Sequence, residues 1–542
     1  MRADLQAWLT QAEDPGIREE LLAAASDPAA VGERFDGELS FGTGGLRGVM
    51  GAGPCRMNLY TVGRATFGVA DYLKSLSDAP SAVIAFDTRK NSPLFARRAA
   101  EILSSQGITV RLFPGPVPTP VLSFAVRFFK ADLGIVITAS HNPRAYNGYK
   151  VYNARGCQIT EEAAAEITKR IRTFDYFCPF TPDPGRILMA DGEVREAFLR
   201  AVRALSLYDP GEGERPSVVY TPLHGTGMGF VPDILAGKAG QVRVVAEQQA
   251  PDGDFPTCPY PNPERPEAMA LAVREAERQG ADLVLATDPD ADRLGAAVRG
   301  EGEYVLLNGN ETGCLLLFYL LERKQELGLL GKDPTVVKTI VTSDLVTEIA
   351  GEFGVCVREV LTGFKYIGEE MDKIPNFIMG LEESCGYLVG RHVRDKDAVS
   401  AAMMLTEACA WFRSRGKTPL QVLGELSERC GFFRTALFSL SAEGADGAAR
   451  MAAVMKKIRS EDLPLGLKGF VRTDYQKGLN GLPASDVIQF RSGREKITLR
   501  PSGTEPKLKL YFQTKAGTAR EAEARLTELS ALVMNAVRKS FK

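Results

Sequence analysis

The chain has 542 residues, 44% hydrophobic and 25% charged, with a formal net charge of −2. That length is too great for one hydrophobic core and points to three or four domains. Without a basic excess nothing argues for a nucleic-acid partner, and no apolar run reaches the roughly 18 residues a membrane helix needs.

The first 35 or so residues read as helical, with apolar spacing at Leu5, Trp8, Leu9, Leu21 and Leu22. Their start lacks the apolar core of a signal peptide. Nine scattered cysteines contain no Cys-x-x-Cys pair and fit free thiols in a reducing compartment. A cytoplasmic location is the expectation. A glycine loop, Phe41-Gly-Thr-Gly-Gly-Leu-Arg-Gly48, follows the helical start.

One pattern then occurs three times: strand, helix, strand, helix, strand, with polar loops at the strand ends. The first unit has strands at 82–86, 108–112 and 133–137, and its last loop carries Ser140 and His141. The second has strands at 217–220, 242–245 and 282–285 and ends in an aspartate cluster. The third has strands at 335–340, 355–359 and 377–380, with Thr362-Gly363-Phe364-Lys365 and Glu382-Glu383-Ser384 at its strand ends. Alternating β and α segments predict parallel or mixed sheets covered by helices, with ligands at the carboxyl ends of the strands. From about Phe432 the pattern changes to short alternating strands such as Lys507–Tyr511, then a long helix from about Thr518. The fold expected is α/β, three similar βαβαβ-type units followed by a C-terminal α+β domain around one cleft. The boundaries expected are 1–205, 206–318, 319–432 and 433–542.

Three motifs carry chemistry. Thr138-Ala-Ser-His-Asn-Pro143 places a hydroxyl and an imidazole where the strand Leu133 to Ile137 stops. It is not the Gly-x-Ser-x-Gly elbow of a hydrolase, and serine alone is a weak nucleophile. Asp288-Pro-Asp-Ala-Asp-Arg293 sets three carboxylates at alternate positions, which repel unless neutralised; hard cations such as Mg²⁺ or Ca²⁺ suit them. An EF-hand would need Gly and Glu where this chain has Arg293 and Arg299. A cation there would activate Ser140 or hold a phosphate already on it. Arg500-Pro-Ser-Gly-Thr-Glu-Pro506 combines a guanidinium, two hydroxyls and a flexible backbone, which suits a phosphate. No Walker loop is present, and the glycines at 42, 44 and 48 and at 225, 227 and 229 miss the Gly-x-Gly-x-x-Gly spacing, so no nucleotide cofactor is implied. Of the three histidines, His141, His224 and His392, composition alone selects none.

With Leu381-Glu-Glu-Ser-Cys-Gly386, these motifs stand in the order found in the α-D-phosphohexomutases, and the chain resembles that family over essentially its whole length. It is most similar to the branch of longer bacterial phosphoglucomutases and animal phosphopentomutases, through Phe41 to Gly48, Leu361-Thr-Gly-Phe-Lys-Tyr-Ile-Gly368 and Gly390-Arg-His-Val-Arg-Asp-Lys-Asp397. The resemblance implies a phosphorylated Ser140, Mg²⁺ held by Asp288, Asp290, Asp292 and the Ser140 oxygen, and Arg47, His141, Lys150 and Arg293 near the transferring phosphoryl. It implies that Glu382 and Ser384 read sugar hydroxyls, that Thr362, Gly363, His392 and Lys396 line the substrate, and that Arg500, Ser502, Gly503 and Thr504 grip the idle phosphate. The implied reaction interconverts glucose 1-phosphate and glucose 6-phosphate through glucose 1,6-bisphosphate, with a small phosphosugar as partner and neither nucleic acid nor membrane; pentose or mannose phosphates are alternative substrates. Two residues depart from the branch: Cys385 replaces a usual aromatic and Gly44 a common alanine. Readings of another class are a metal-dependent phosphatase and a silent sugar-phosphate sensor; an intact set of motif residues argues against the second.

Overall fold

The computed structural model describes residues 2–42, 44–190, 192–441, 447–461, 464–479, 481–502 and 507–541. Its strands form four sheets.

The first three sheets share one core arrangement. In each, the first strand of the unit is central, the second lies on one side of it and the third on the other, all parallel. In the first sheet these are Ser81–Phe86, Thr109–Leu112 and Leu133–Ile137. The second uses Ser217–Thr221, Gln241–Val244 and Leu283–Thr287, and the third Thr335–Thr339, Cys356–Val360 and Phe377–Glu382. The third strand of each unit then reverses into an antiparallel partner: Tyr146–Asn153, Leu294–Arg299 and Gly386–Val389. The sheets are therefore mixed, and each functional loop is the turn into the return strand. Leu133–Ile137 and Leu283–Thr287 are buried at every position, as strands covered by helices on both faces must be.

The fourth sheet is antiparallel throughout, in the order Phe432–Ser441, Lys507–Ala516, Glu495–Pro501, Ile488–Arg491, Val471–Asp474. The helix Ala519–Ser540, N-capped by Thr518, packs its apolar face on it. At the other end of the chain three short helices, Ala3–Gln11, Pro15–Ala24 and Pro28–Phe35, surround Trp8, Phe35 and Tyr60; Asp14 and Asp27 cap the second and third.

One buried charge ties the second and third units together. Glu407 accepts from Ser206 Oγ, from the Leu207 and Tyr208 amides and from Tyr319 Oη, and pairs with Lys238 at 2.9 Å. The helix Gly309–Glu326, opened by an Asn308 capping box, runs unbroken across residues 318 and 319, where the sequence reading places a division. Among the described residues no helix is long and apolar enough to cross a membrane.

Candidate active site

The three turns share a backbone device. Each holds one non-glycine residue in the left-handed region: Ser140 (φ 51°), Ala291 (φ 48°) and Cys385 (φ 58°). Such conformations cost about 1–3 kcal/mol each and persist only where the surroundings impose them.

For Ser140 the surroundings are visible. Its amide donates to Thr138 Oγ1 at 2.8 Å, and Thr138 Oγ1 in turn donates to Asp87 Oδ2 at 2.6 Å. Arg89, almost wholly buried, threads the loop and donates to the carbonyls of Ser140, Asn142, Pro143 and Tyr146. Asp87 pairs with Arg89 Nε at 3.3 Å and the guanidinium stacks on Phe255 of the second unit. The sequence reading notes Asp87 and Arg89 only as a strand-end loop. A charge at a buried strand end was the available signal, but nothing local tells that four carbonyls await it.

Ser140 Oγ donates to Asp288 Oδ2 at 2.6 Å, and His141 Nδ1 lies 3.1 Å from the same hydroxyl. Asp288, Asp290 and Asp292 are all buried, and one oxygen from each lies within 4.8 Å of the others. Asp288 Oδ1 accepts the Asp292 and Arg293 amides. Asp290 Oδ2 accepts from Lys150 Nζ at 3.0 Å and Thr119 Oγ1 at 2.8 Å. The second oxygens of Asp290 and Asp292 are buried without a hydrogen-bond partner. Burial first, then the neighbouring carboxylates, push Asp288 and Asp292 above the usual carboxylate range. Two orphaned anionic oxygens beside a serine hydroxyl fit a hard cation with oxygen ligands.

Cations surround this centre. Lys150 reaches Asp290 and, at 3.7 Å, Asp292; Lys396 lies 3.1 Å from Asp292 and 3.0 Å from Asp395. Asp395 also accepts from Tyr152 Oη at 2.6 Å. Arg293 is held by Glu264 at 3.1 Å. Arg47, on the strand Gly45–Val49, approaches Asn142 Oδ1 at 3.4 Å. Burial, then Arg293 and Arg47, hold the His141 imidazole well below its ordinary value, so it is neutral near pH 7.

The third unit supplies the opposite wall. Glu382 Oε1 accepts the Gly363 amide at 3.0 Å, at the start of the helix Phe364–Lys373, and the Thr362 hydroxyl is buried without a partner. Glu383 turns the other way, onto the hydroxyls of Thr339 and Thr342. Cys385 is buried, and its carbonyl accepts the Leu294 amide at 3.0 Å, joining the third turn to the second. His392 is placed apart: its ring packs against Phe198 and its Nε2 lies 2.8 Å from Asp397 Oδ2. Asp397 is also the N-cap of the helix Ala398–Ser414, which fixes the imidazole behind the loop that carries Lys396.

The fourth unit brings Arg500 directly across the ladder from Lys509. Opposed residues of an antiparallel pair project on the same face, so two like charges stand side by side, which is unfavourable without an anion. Burial, then Arg500 and Arg293, lower the Lys509 ammonium. The sequence reading did not select Lys509; its alternation with Leu508 and Leu510 gave its face but not its partner. The Ser502 amide donates to Lys507 O at 2.7 Å. Gly503 and Thr504 lie outside the described residues.

A buried hydroxyl, three carboxylates and converging cations suit transfer of a phosphoryl group, which needs positioning and charge neutralisation more than covalent chemistry. Comparisons with known proteins agree. Residues 38–176, 196–302 and 308–430 match, in order, the descriptions "Phosphoglucomutase/phosphomannomutase, alpha/beta/alpha domain" I, II and III. The chain is 39% identical over 503 residues to a phosphoglucomutase of Staphylococcus epidermidis, covering 88% of this chain and 91% of that protein. It is 34% identical over 546 residues to a phosphoglucomutase of Staphylococcus aureus, covering 94% and 96%. The crystal structure of a putative phosphomannomutase from Thermus thermophilus superposes with a TM-score of 0.69 at 25% identity, over 91% of this chain and 99% of that one. Parafusin from Paramecium, in its open form, shares the fold with a TM-score of 0.70 at 17% identity, over 92% and 95%.

Proposed function

Because this chain belongs to the phosphoglucomutase/phosphomannomutase family and is a phosphoglucomutase-type mutase, we propose that it interconverts glucose 1-phosphate and glucose 6-phosphate through a phosphorylated Ser140. The observation that supports this most directly is the Ser140 hydroxyl hydrogen-bonded to Asp288 beside the orphaned oxygens of Asp290 and Asp292. Those three carboxylates and the Ser140 oxygen would hold Mg²⁺, which when bound supplies positive charge to the transferring phosphoryl.

In the proposed cycle the phosphoryl leaves Ser140 Oγ for the free hydroxyl of a sugar monophosphate, giving glucose 1,6-bisphosphate. The bisphosphate turns over and its other phosphoryl returns to Ser140; the proton lost by the sugar hydroxyl in the first step goes to the departing Ser140 Oγ, and that hydroxyl gives it up to the product's freed oxygen in the second. Lys150 and Arg293 neutralise the phosphoryl oxygens, with Arg47 at the rim. His141 hydrogen-bonds the Ser140 hydroxyl and helps to orient it. Glu382, Ser384, Thr362, Gly363 and Lys396 line the sugar. Arg500, Ser502 and Lys509, with Gly503 and Thr504, grip whichever phosphate is idle. His392 acts through Asp397 by seating the Lys396 loop. We divide the chain into four units, one loop each, with the second boundary ahead of Gly309 so that no helix is cut.

The test is a coupled assay of glucose 1-phosphate conversion with Mg²⁺ and a trace of glucose 1,6-bisphosphate. Fast conversion, abolished by chelation and restored by Mg²⁺, supports the reading. Negligible conversion with rapid turnover of ribose 1-phosphate replaces glucose by a pentose. Release of inorganic phosphate at the rate of turnover favours the phosphatase reading.

A further inference from the structure

Away from the cleft, on the back of the junction between the first and third units, lies a hollow of about 420 Å³. Arg127 and Lys130, at the end of the helix Thr119–Phe128, form one wall. Arg155, in the turn after the strand Tyr146–Asn153, and Arg394, in the segment before Lys396, form the others. We propose that this hollow binds a small phosphate dianion, free or carried as a phosphoester.

The charge balance is one-sided. Four cations face Asp132 and Asp372. Asp132 is already engaged, accepting from the Ser81 amide and hydroxyl at 2.9 Å. Asp372 serves two guanidiniums, with Oδ1 on Arg394 Nε and Oδ2 on Arg155 NH1, both at 3.0 Å, and Glu369 adds a second, more distant carboxylate to Arg155. Among the described residues the hydrogen bonds of Arg127 go to backbone, its NH1 donating to the carbonyls of Arg391 and His392 at 2.9 and 2.7 Å, with Asp372 acting on it at longer range. Arg391 likewise donates to the Ile374 and Met371 carbonyls. These bonds fix the guanidiniums without neutralising them. Partial desolvation, then Arg394, hold the Arg127 guanidinium below its usual range against the opposing pull of Asp372. Arginines clustered, anchored through carbonyls and short of counter-charge make a preorganised anion site, since planar guanidiniums match phosphate oxygens in pairs.

The hollow also touches the machinery of the cleft. Arg394 stands two residues before Lys396, and its amide donates to Ser123 Oγ at 2.9 Å on the helix that carries Arg127. An anion bridging Arg127 and Arg155 to Arg394 would brace the first unit against the loop that holds Lys396. The sequence reading contains no trace of this site, because its residues come from three segments whose cations are locally unremarkable.

The experiment is isothermal titration calorimetry with orthophosphate at low ionic strength. It uses the full chain carrying Arg500→Gln, which weakens the phosphate grip in the cleft equally in both proteins compared, and sets it against the same chain also carrying Arg127→Gln and Arg155→Gln. The expected result is one saturable site per chain in the first, weakened about tenfold or more in the second and weakened in both by added salt. Repeating the titration with glycerol 2-phosphate identifies the ligand: tighter binding of orthophosphate assigns free phosphate, and tighter binding of the ester assigns a phosphoester. No saturable binding in Arg500→Gln, or equal binding in both proteins, overturns the proposal. With Arg500 intact, the Arg127→Gln/Arg155→Gln protein keeps its mutase rate in phosphate-free buffer and its melting temperature. Should that pair disturb folding, Arg155→Gln alone, at a half-exposed side chain, gives the same comparison.

Discussion

The Ser140 hydroxyl lies 2.6 Å from Asp288 Oδ2, although the two residues stand 148 positions apart in the chain. They come from turns of different sheets, each held open by a non-glycine residue with positive φ. The strained position brings the hydroxyl to the carboxylates, with His141 Nδ1 on its other side.

Ser140→Ala therefore removes the phosphoryl carrier while leaving the loop supported by Thr138 and Arg89. Turnover in the coupled assay should fall by about 10³-fold or more, as for loss of a covalent nucleophile. Melting temperature should change little. Retention of more than a few per cent of the rate would remove Ser140 from the mechanism.

Arg89 is a different kind of residue. It touches no proposed substrate atom but satisfies four carbonyls of the Ser140 loop and neutralises buried Asp87. Arg89→Met leaves the buried Asp87 charge without its cation, though still hydrogen-bonded by Thr138 and Ser92, and takes a donor from each of those carbonyls, a loss on the order of 3–5 kcal/mol. Urea denaturation should report it, with the residual folded enzyme slowed because Ser140 is no longer held.

Lys509 opposes Arg500 at one rung of the fourth sheet. If the pair grips the idle phosphate, Lys509→Met should raise KM for glucose 1-phosphate by about tenfold or more, one charge-assisted contact being worth roughly 1.5–3 kcal/mol. The free protein should be no less stable, since a like-charge pair is relieved. A KM equal to that of the unaltered enzyme would place the phosphate elsewhere.

Glu383 offers a pH test. Burial first, then Glu382, push its carboxyl from 4.5 up to about 7. Below pH 4.5 the folded and unfolded chains both carry the proton, and this group has no effect. Between 4.5 and about 7 the unfolded chain releases it and the folded chain keeps it, so stability from this group falls as pH rises. Glu383→Gln keeps an acceptor for Thr339 and Thr342 but cannot ionise. The melting temperature of the variant should gain on that of the unaltered protein from pH 4.5 to 7 and run parallel above. Parallel curves throughout would mean an ordinary carboxyl.

Much of this was legible in the sequence. Leu133 to Ile137 could only be a buried strand, and Thr138 to Asn142 could only be the polar loop at its end. Three carboxylates at 288, 290 and 292 demanded a counter-charge wherever they lay. The return strands were not legible, because Tyr146-Asn-Gly-Tyr-Lys150 has neither an apolar run nor a clean alternation. His392 stands four residues before Lys396, which reaches Asp292 in the cleft, yet its ring packs on Phe198, since the Asp397 cap fixes where it points.

The sequence by itself determined the order of the parallel strands and their helices, the α/β class and the chemical kind of each loop, because strand burial and motif chemistry are properties of a few consecutive residues. Only the tertiary structure decided which groups meet. Ser140 with Asp288 and the arginines of the rear hollow are joined by packing between units, and Arg89 with its four carbonyls and Arg500 with Lys509 by the folding of a loop and a ladder within one unit. Distances of a few ångströms between residues scores or hundreds of positions apart follow from how helices and sheets stack, which no local pattern encodes.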